Sequence, residues 1–228
     1  IGVYVFNNVI KKWKFTCEKY VLNTYIYICL SFLLIALENL SLEYHNYRFP
    51  ITNIGLLLLF VLLFGAIIGV RFANNLLVKH LLWSIIIIGL GFTFYPLYRL
   101  SKYTKTFISA LLTTATIVIL MTIMVFVKPE LVSLKMGPIL FWILLVGIIM
   151  ELISYLVVKE HRNDMYKGFS YFFIILFTMY LLYDTRVLQE NAKTCIESKG
   201  ADYISESLGM FLDIFNILVR IMGLKARD

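Results

Sequence analysis

The sequence predicts an all-α fold, a polytopic membrane bundle of about seven hydrophobic helices. Of the 228 residues, 61% are hydrophobic and 15% are charged, whereas about a quarter of the residues in a soluble domain are charged. The mean hydropathy is +0.84. The apolar residues form continuous runs of about 20 residues, the length of a helix that spans the hydrocarbon. A transmembrane β-barrel would instead show short alternating segments.

The first 19 residues differ from the rest of the chain. The apolar stretch IGVYVFNNVI is too short to span a bilayer, and lysines at Lys11, Lys12, Lys14 and Lys19 follow it. Such a segment is typical of an amphipathic piece that lies in the membrane interface. We therefore predict an N-terminal interfacial arm at 1–19 and a single transmembrane bundle domain at 20–228.

Seven apolar runs follow the arm. They are Tyr20–Leu40, Ile51–Val70, Leu76–Leu97, Thr106–Val127, Met136–Val158, Gly168–Leu188 and Ala201–Gly223. We expect Pro96 to end the third run and a soluble linker, QENAKTCIESKG, to join the last two. If all seven runs span, the 21 lysines and arginines divide into 11 and 10 on the two sides of the membrane, so the positive-inside rule predicts no orientation.

The last run carries a polar stripe. Its members are spaced 4, 3, 4, 3 and 4 residues apart, which places them on one helix face: Asp202, Glu206, Gly209, Asp213, Asn216 and Arg220. A charge near the bilayer centre costs about 3 kcal/mol on insertion scales. The stripe is therefore predicted to face protein or a wet cavity, with the other helices packed around it and Asp213 at its functional centre.

Four acidic residues lie in or at the ends of apolar runs: Glu38, Glu151, Asp184 and Asp213. Two close carboxyl groups would share a proton and titrate as a coupled unit, and their oxygens would suit a hard cation. The alternative is that each acid pairs with a buried arginine, for which the candidates are Arg71, Arg186 and Arg220. For Glu38 and Glu151 both interpretations stay open.

Cysteine and histidine give no sign of a tightly bound metal. Cys17, Cys29 and Cys195 lack metal-ligand spacing, and an odd count at wide spacing predicts no disulfide framework. We expect Cys29 to be a core residue. The histidines, His45, His80 and His161, are expected in surface loops.

The sequence does not indicate an enzyme. It contains no HExxH, P-loop or GxSxG motif. Asp184 and Asp213 lie on adjacent predicted helices, as in intramembrane aspartyl proteases, but Asp213 stands in FLDIF rather than in a GxGD motif. The net charge of +7 comes from basic residues in short loops, which favours contact with lipid headgroups rather than nucleic acid.

The C-terminal part resembles the Bax-inhibitor family of transmembrane proteins. LLYDTRVL at 181–188 contains that family's YDT motif, and DYISESLGMFLDIFNIL at 202–218 contains its LD motif. Within the family the chain is most similar to the mitochondrial branch, the growth-hormone-inducible transmembrane proteins. That similarity is carried by NTYIYI at 23–28, KHLLW at 79–83, LKMGP at 134–138 and DIFNILVRIM at 213–222.

The resemblance implies a pH-dependent calcium leak or calcium/proton exchange, with Asp184 and Asp213 as the ion-binding and pH-sensing pair. It also implies a latch arginine from the second helix, for which Arg71 is the candidate. The supporting polar residues would be Glu206, Asn216, Arg220, Glu151 and Glu38. The mitochondrial branch implies the inner membrane and a removed presequence, which would account for a chain that begins at Ile1.

A second function stays open. The predicted second helix has no acid between Pro50 and Arg71, where bacterial members of the family carry one, and the chain is rich in aromatic residues, with 18 Phe and 15 Tyr. These features favour a non-conducting structural or accessory subunit of a large inner-membrane complex, respiratory or cristae-shaping. Its partners would be the lipid bilayer and other subunits of that complex.

Overall fold

The computed structural model describes residues 10–11, 14–15, 17–47, 53–157, 162–195 and 201–227. Seven α-helices in these ranges are long and apolar enough to cross a membrane. They are α1 (Tyr20–Tyr44), α2 (Asn53–Phe72), α3 (Leu76–Tyr103), α4 (Phe107–Val127), α5 (Gly137–Val157), α6 (Arg162–Thr194) and α7 (Tyr203–Lys225). The prediction of a polytopic helical membrane protein is therefore confirmed.

Short elements complete the described chain. Two-residue strands, β1 (Ile10–Lys11) and β2 (Lys14–Phe15), pair antiparallel within the segment predicted as an interfacial arm. Residues 1–9, 12, 13 and 16 of that arm lie outside the described residues, so its interfacial role stays a prediction. Two 3-10 turns, Pro129–Leu131 and Leu134–Met136, connect α4 to α5.

The helix α7 is buried to a much larger extent than the other six. Of its most apolar window, 72% lies buried inside the protein, compared with 11–39% for the other spans. Since a lipid-facing helix would be mostly exposed, the expectation that the stripe helix faces protein rather than lipid is confirmed.

The backbone divides into two compact units. The first comprises Ile1–Tyr98 and Glu190–Phe211, and the second comprises Arg99–Gln189 and Leu212–Asp228. The first half of α7 belongs to one unit and the second half to the other. Whether 20–228 behaves as a single domain stays a prediction.

In the first unit, a polar line on α1 packs inward. Asn23, Tyr27 and Ser31 are all buried, and they are spaced four residues apart on one helix face. The Tyr27 hydroxyl forms a 2.9 Å hydrogen bond with Nε2 of His80 on α3. Further along, Asn39 donates to the Gly91 carbonyl at 3.2 Å. Hydrogen bonding thus joins α1 to α3, as polar residues do between membrane helices.

In the second unit, an apolar cluster joins α5 to α6. Leu140 of α5 and Phe173 and Leu176 of α6 are buried together. A hydrogen bond from Gln189 to the Val125 carbonyl, at 3.4 Å, connects α6 to the end of α4. These contacts fix the two helices that carry Glu151 and Asp184.

Two predicted boundaries were wrong. The helix α3 continues through Pro96 to Tyr103. Proline is tolerated inside membrane helices because neighbouring groups can satisfy the backbone carbonyl that it leaves without a donor. The helix α6 runs to Thr194, so it takes up half of the predicted linker. Its 33 residues extend for about 50 Å, which is longer than the hydrocarbon layer.

Three side-chain predictions were also wrong. His80 lies in α3 and bonds to Tyr27, rather than in a surface loop. Cys29 is exposed, because lipid solvates an apolar side chain as well as a protein core does. Cys17 and Cys195 form a disulfide, although no disulfide was expected. His161 lies outside the described residues.

Candidate carboxylate site

The structure brings the two predicted aspartates together. Asp213 lies on the second half of α7 and is 6% exposed. Its carboxyl group lies close to that of Asp184 of α6 and interacts with it electrostatically, and Asp184 is partly buried. Among the described residues, Oδ2 of Asp213 has no hydrogen-bond partner. The pair therefore presents a buried carboxylate oxygen that is open to a proton or a ligand.

A hydrogen bond between these two carboxyl groups has a chemical requirement. An ionised carboxylate only accepts hydrogen bonds, so two carboxyl groups can bond to each other only if one of them carries a proton. If the two groups bond in this way, Asp184 and Asp213 share that proton as a coupled unit. When the proton leaves, two negative charges remain side by side, and they attract a cation.

Tyr180 was missed by the sequence reasoning. It lies one turn before Asp184 on α6 and interacts electrostatically with both Asp184 and Asp213. Its spacing of four residues from Asp184 places the two on the same helix face, a signal that could have found it. Its phenol hydroxyl is a group that can donate to or accept from a neighbouring carboxyl.

Arg220 does not neutralise the pair. Its guanidinium makes two hydrogen bonds to Glu151 of α5, at 2.5 and 2.7 Å, and it stacks 4.5 Å above the Phe173 ring. For Glu151, the alternative of an ion pair with an arginine is therefore the arrangement observed. Asn216 donates to the carbonyl of Leu212 on its own helix, at 2.8 Å.

The remaining stripe residues lie in the first unit. Asp202 pairs with Lys79 of α3 at 2.5 Å, and Glu206 accepts a hydrogen bond from Asn191 at 2.5 Å. Arg71, the candidate latch, interacts electrostatically with Glu206. Its role as a latch for Asp184 stays a prediction. Lys79 stands in the KHLLW motif, but nothing in its sequence position indicates that it is a partner of the stripe.

Glu38 also lies in the first unit. It is partly buried on α1, with its carboxyl group against Gly91 of α3. A β-carbon at position 91 would collide with that carboxyl group. The glycine therefore provides the space that Glu38 occupies, a small-residue contact typical of membrane helix packing.

An apolar cavity of about 680 Å³ lies in the second unit between α5 and α6. Its lining includes Trp142, Val146, Met150 and Phe172, with Asp164 as a polar member. Neither aspartate of the pair lines it. An apolar lining cannot replace the hydration shell of an ion, so this cavity is not part of an ion site.

In the described part of the chain, seven helices are long and apolar enough to span a membrane, and α6 and α7 carry two carboxyl groups within their spans. These features define a multi-pass membrane protein with ionisable groups inside its spans. The family model described as Inhibitor of apoptosis-promoting Bax1 matches residues 17–226. The chain therefore belongs to the Bax inhibitor-like transmembrane family, and the family membership predicted from the YDT and LD motifs is confirmed. No curated protein and no solved structure matches the chain.

Proposed function

We propose that this protein provides a pH-dependent pathway for calcium ions, as a leak or as calcium/proton exchange, with Asp184 and Asp213 as the gate. We further propose that it is not an enzyme and that it resides in the mitochondrial inner membrane. The location is supported by the motifs shared with the mitochondrial branch, NTYIYI at 23–28 and LKMGP at 134–138.

One observation carries the proposal. The buried Asp213 lies close to a second carboxyl group, Asp184, while the arginine two turns further along α7 is held by Glu151. A carboxyl pair without that arginine can exchange its shared proton for a cation.

The chemistry of the pair suits a transient calcium site. Asp184 and Asp213 supply four oxygens, and calcium takes six to eight oxygen ligands. Water or backbone carbonyls must complete the shell, so the ion is held weakly enough to leave. Protons and calcium compete for the same oxygens, which makes the flux depend on pH.

The test is calcium flux into proteoliposomes that contain the purified protein and a calcium-sensitive dye. We expect pH-dependent flux for the native sequence and its loss in both Asp184→Asn and Asp213→Asn. Glu130→Gln is the matched control, because Glu130 is exposed in a connecting turn. Equal flux in the control and in both aspartate variants would contradict the proposal.

The alternative of an accessory subunit has a different outcome. It predicts no flux above that of empty vesicles for the native protein, together with stoichiometric co-purification with a respiratory or cristae-shaping complex. Flux that requires Asp213 would reject it as the sole function.

A further inference from the structure

The first unit contains a cross-link that connects the two ends of a long part of the chain. Cys17 precedes α1 and Cys195 follows α6, and their disulfide joins positions 178 residues apart in the sequence, with a Cα–Cα distance of 5.7 Å. Both residues are partly exposed, so thiol reagents and exchange partners can reach them.

The positions of the two cysteines agree with the membrane topology. Six spans, α1 to α6, lie between Cys17 and Cys195. An even number of crossings returns the chain to the side from which it started, so both cysteines lie on the same face of the membrane. The Lys79–Asp202 ion pair agrees with this topology. Lys79 lies near the start of α3 and Asp202 directly precedes α7, and by the same count of crossings both helix starts fall on that face.

Contacts other than the disulfide hold the same helix ends together. The Tyr203 hydroxyl at the start of α7 donates to the Glu18 carbonyl at 3.4 Å, and the Tyr20 and Tyr203 rings meet edge to face at 5.1 Å. The bond from Asn191 to Glu206 connects the end of α6 to α7. Packing therefore keeps the two thiols close, which raises their effective concentration for bond formation.

We propose that Cys17 and Cys195 form a thiol-oxidation site that faces an oxidising compartment. The membrane face that carries the starts of α1, α3 and α7 then lies on that side. Disulfides persist in oxidising compartments and are rare where thiol reductants are abundant. The distribution of 11 and 10 basic residues predicts no orientation, so the disulfide is the feature that assigns one. This inference does not depend on calcium transport.

The oxidation proceeds by thiol–disulfide exchange with an oxidised dithiol of a small molecule or an oxidoreductase. One cysteine thiolate attacks the disulfide of that oxidant, which forms a mixed disulfide and releases one oxidant thiolate. The second cysteine thiolate attacks the mixed disulfide, forms the Cys17–Cys195 bond and releases the other oxidant thiolate. The two protons from the cysteines are taken up by these thiolates, so the oxidant ends as a dithiol.

The first test counts thiols in a Cys29→Ser background, which leaves only the pair. Cells are quenched in acid, and the denatured protein is treated with a polyethylene-glycol maleimide before or after reduction. We expect no mobility shift before reduction and a double shift after it. The further variant Cys195→Ser should give a single shift without reduction, which verifies that the reagent reaches a free thiol. A double shift without reduction would overturn the proposal.

The second test determines the side of the membrane. Sealed vesicles of both orientations, right-side-out and inverted, receive a membrane-impermeant phosphine and then the impermeant maleimide. We expect double labelling only in vesicles whose oxidising face is outside. Labelling only from the thiol-rich face would overturn the assigned orientation.

Discussion

The ion pair of Glu151 and Arg220 offers a quantitative test of the structure. Its two hydrogen bonds measure 2.5 and 2.7 Å, and the side chains are 18% exposed for Arg220 and 30% exposed for Glu151. The substitution Glu151→Gln removes the negative charge but keeps the size of the side chain. The arginine then remains in place above Phe173 without its counter-ion.

The expected cost follows from the degree of burial. Removing one partner of a fully buried ion pair destabilises a protein by about 3–5 kcal/mol, whereas an exposed pair contributes about 0–1 kcal/mol. Because the two side chains are mostly buried and the amide can still accept one hydrogen bond, we expect Glu151→Gln to lower the free energy of unfolding by about 2 kcal/mol. Combining it with Arg220→Met should restore part of this loss, since no unpaired charge remains.

The assay is equilibrium unfolding in mixed micelles, followed by tryptophan fluorescence as the fraction of denaturing detergent rises. Glu130→Gln serves as the control, with an expected change below about 0.5 kcal/mol because it lies on the surface. A loss for Glu151→Gln no larger than that for Glu130→Gln would refute this expectation. A double variant that loses the full sum of the two single losses would refute it as well.

Two further predictions concern packing and the cross-link. Gly147→Ala should destabilise the protein by about 1–3 kcal/mol, because a β-carbon at position 147 would lie 2.7 Å from the Phe172 ring. A β-carbon at position 168 would have no atom within 4 Å, so Gly168→Ala should be neutral or stabilising in the same unfolding assay. Equal losses for the two variants would contradict this prediction. Reduction of the disulfide should lower the midpoint temperature of thermal unfolding of the native protein. The corresponding loss in the free energy of unfolding is at most about 5 kcal/mol, from the chain entropy of the unfolded state. In a variant that lacks Cys17 and Cys195, reductant should not change the midpoint temperature. A change as large as that of the native protein would refute the assignment of the effect to the Cys17–Cys195 disulfide.

The sequence predicted that the polar stripe on α7 faces protein or a wet cavity, because a charge in lipid is costly. The spacing from Asp202 to Arg220 could only be accommodated by a helix that faces protein, and α7 is indeed the most buried of the described spans. The proximity of Asp184 and Asp213 was expected only from the family motifs. Composition and spacing alone did not distinguish a carboxyl pair from an ion pair with Arg220.

Other features could not be predicted because lipid and protein interior are equally apolar. An apolar run therefore does not indicate which face is buried, and Cys29 was wrongly placed in the core. The Cys17–Cys195 bond depends on tertiary packing across 178 residues, which no local pattern reports. Pro96 lies inside α3 because the membrane environment tolerates what usually ends a soluble helix.

The central claim is that Asp184 and Asp213 share a proton that a cation displaces. Infrared difference spectroscopy of the reconstituted protein measures this directly, through the C=O stretch of a protonated carboxyl group. We expect added calcium to remove such a band in the native protein, and we expect Asp213→Asn to lack this change. A native spectrum in which calcium leaves the protonated-carboxyl region unaltered would contradict it.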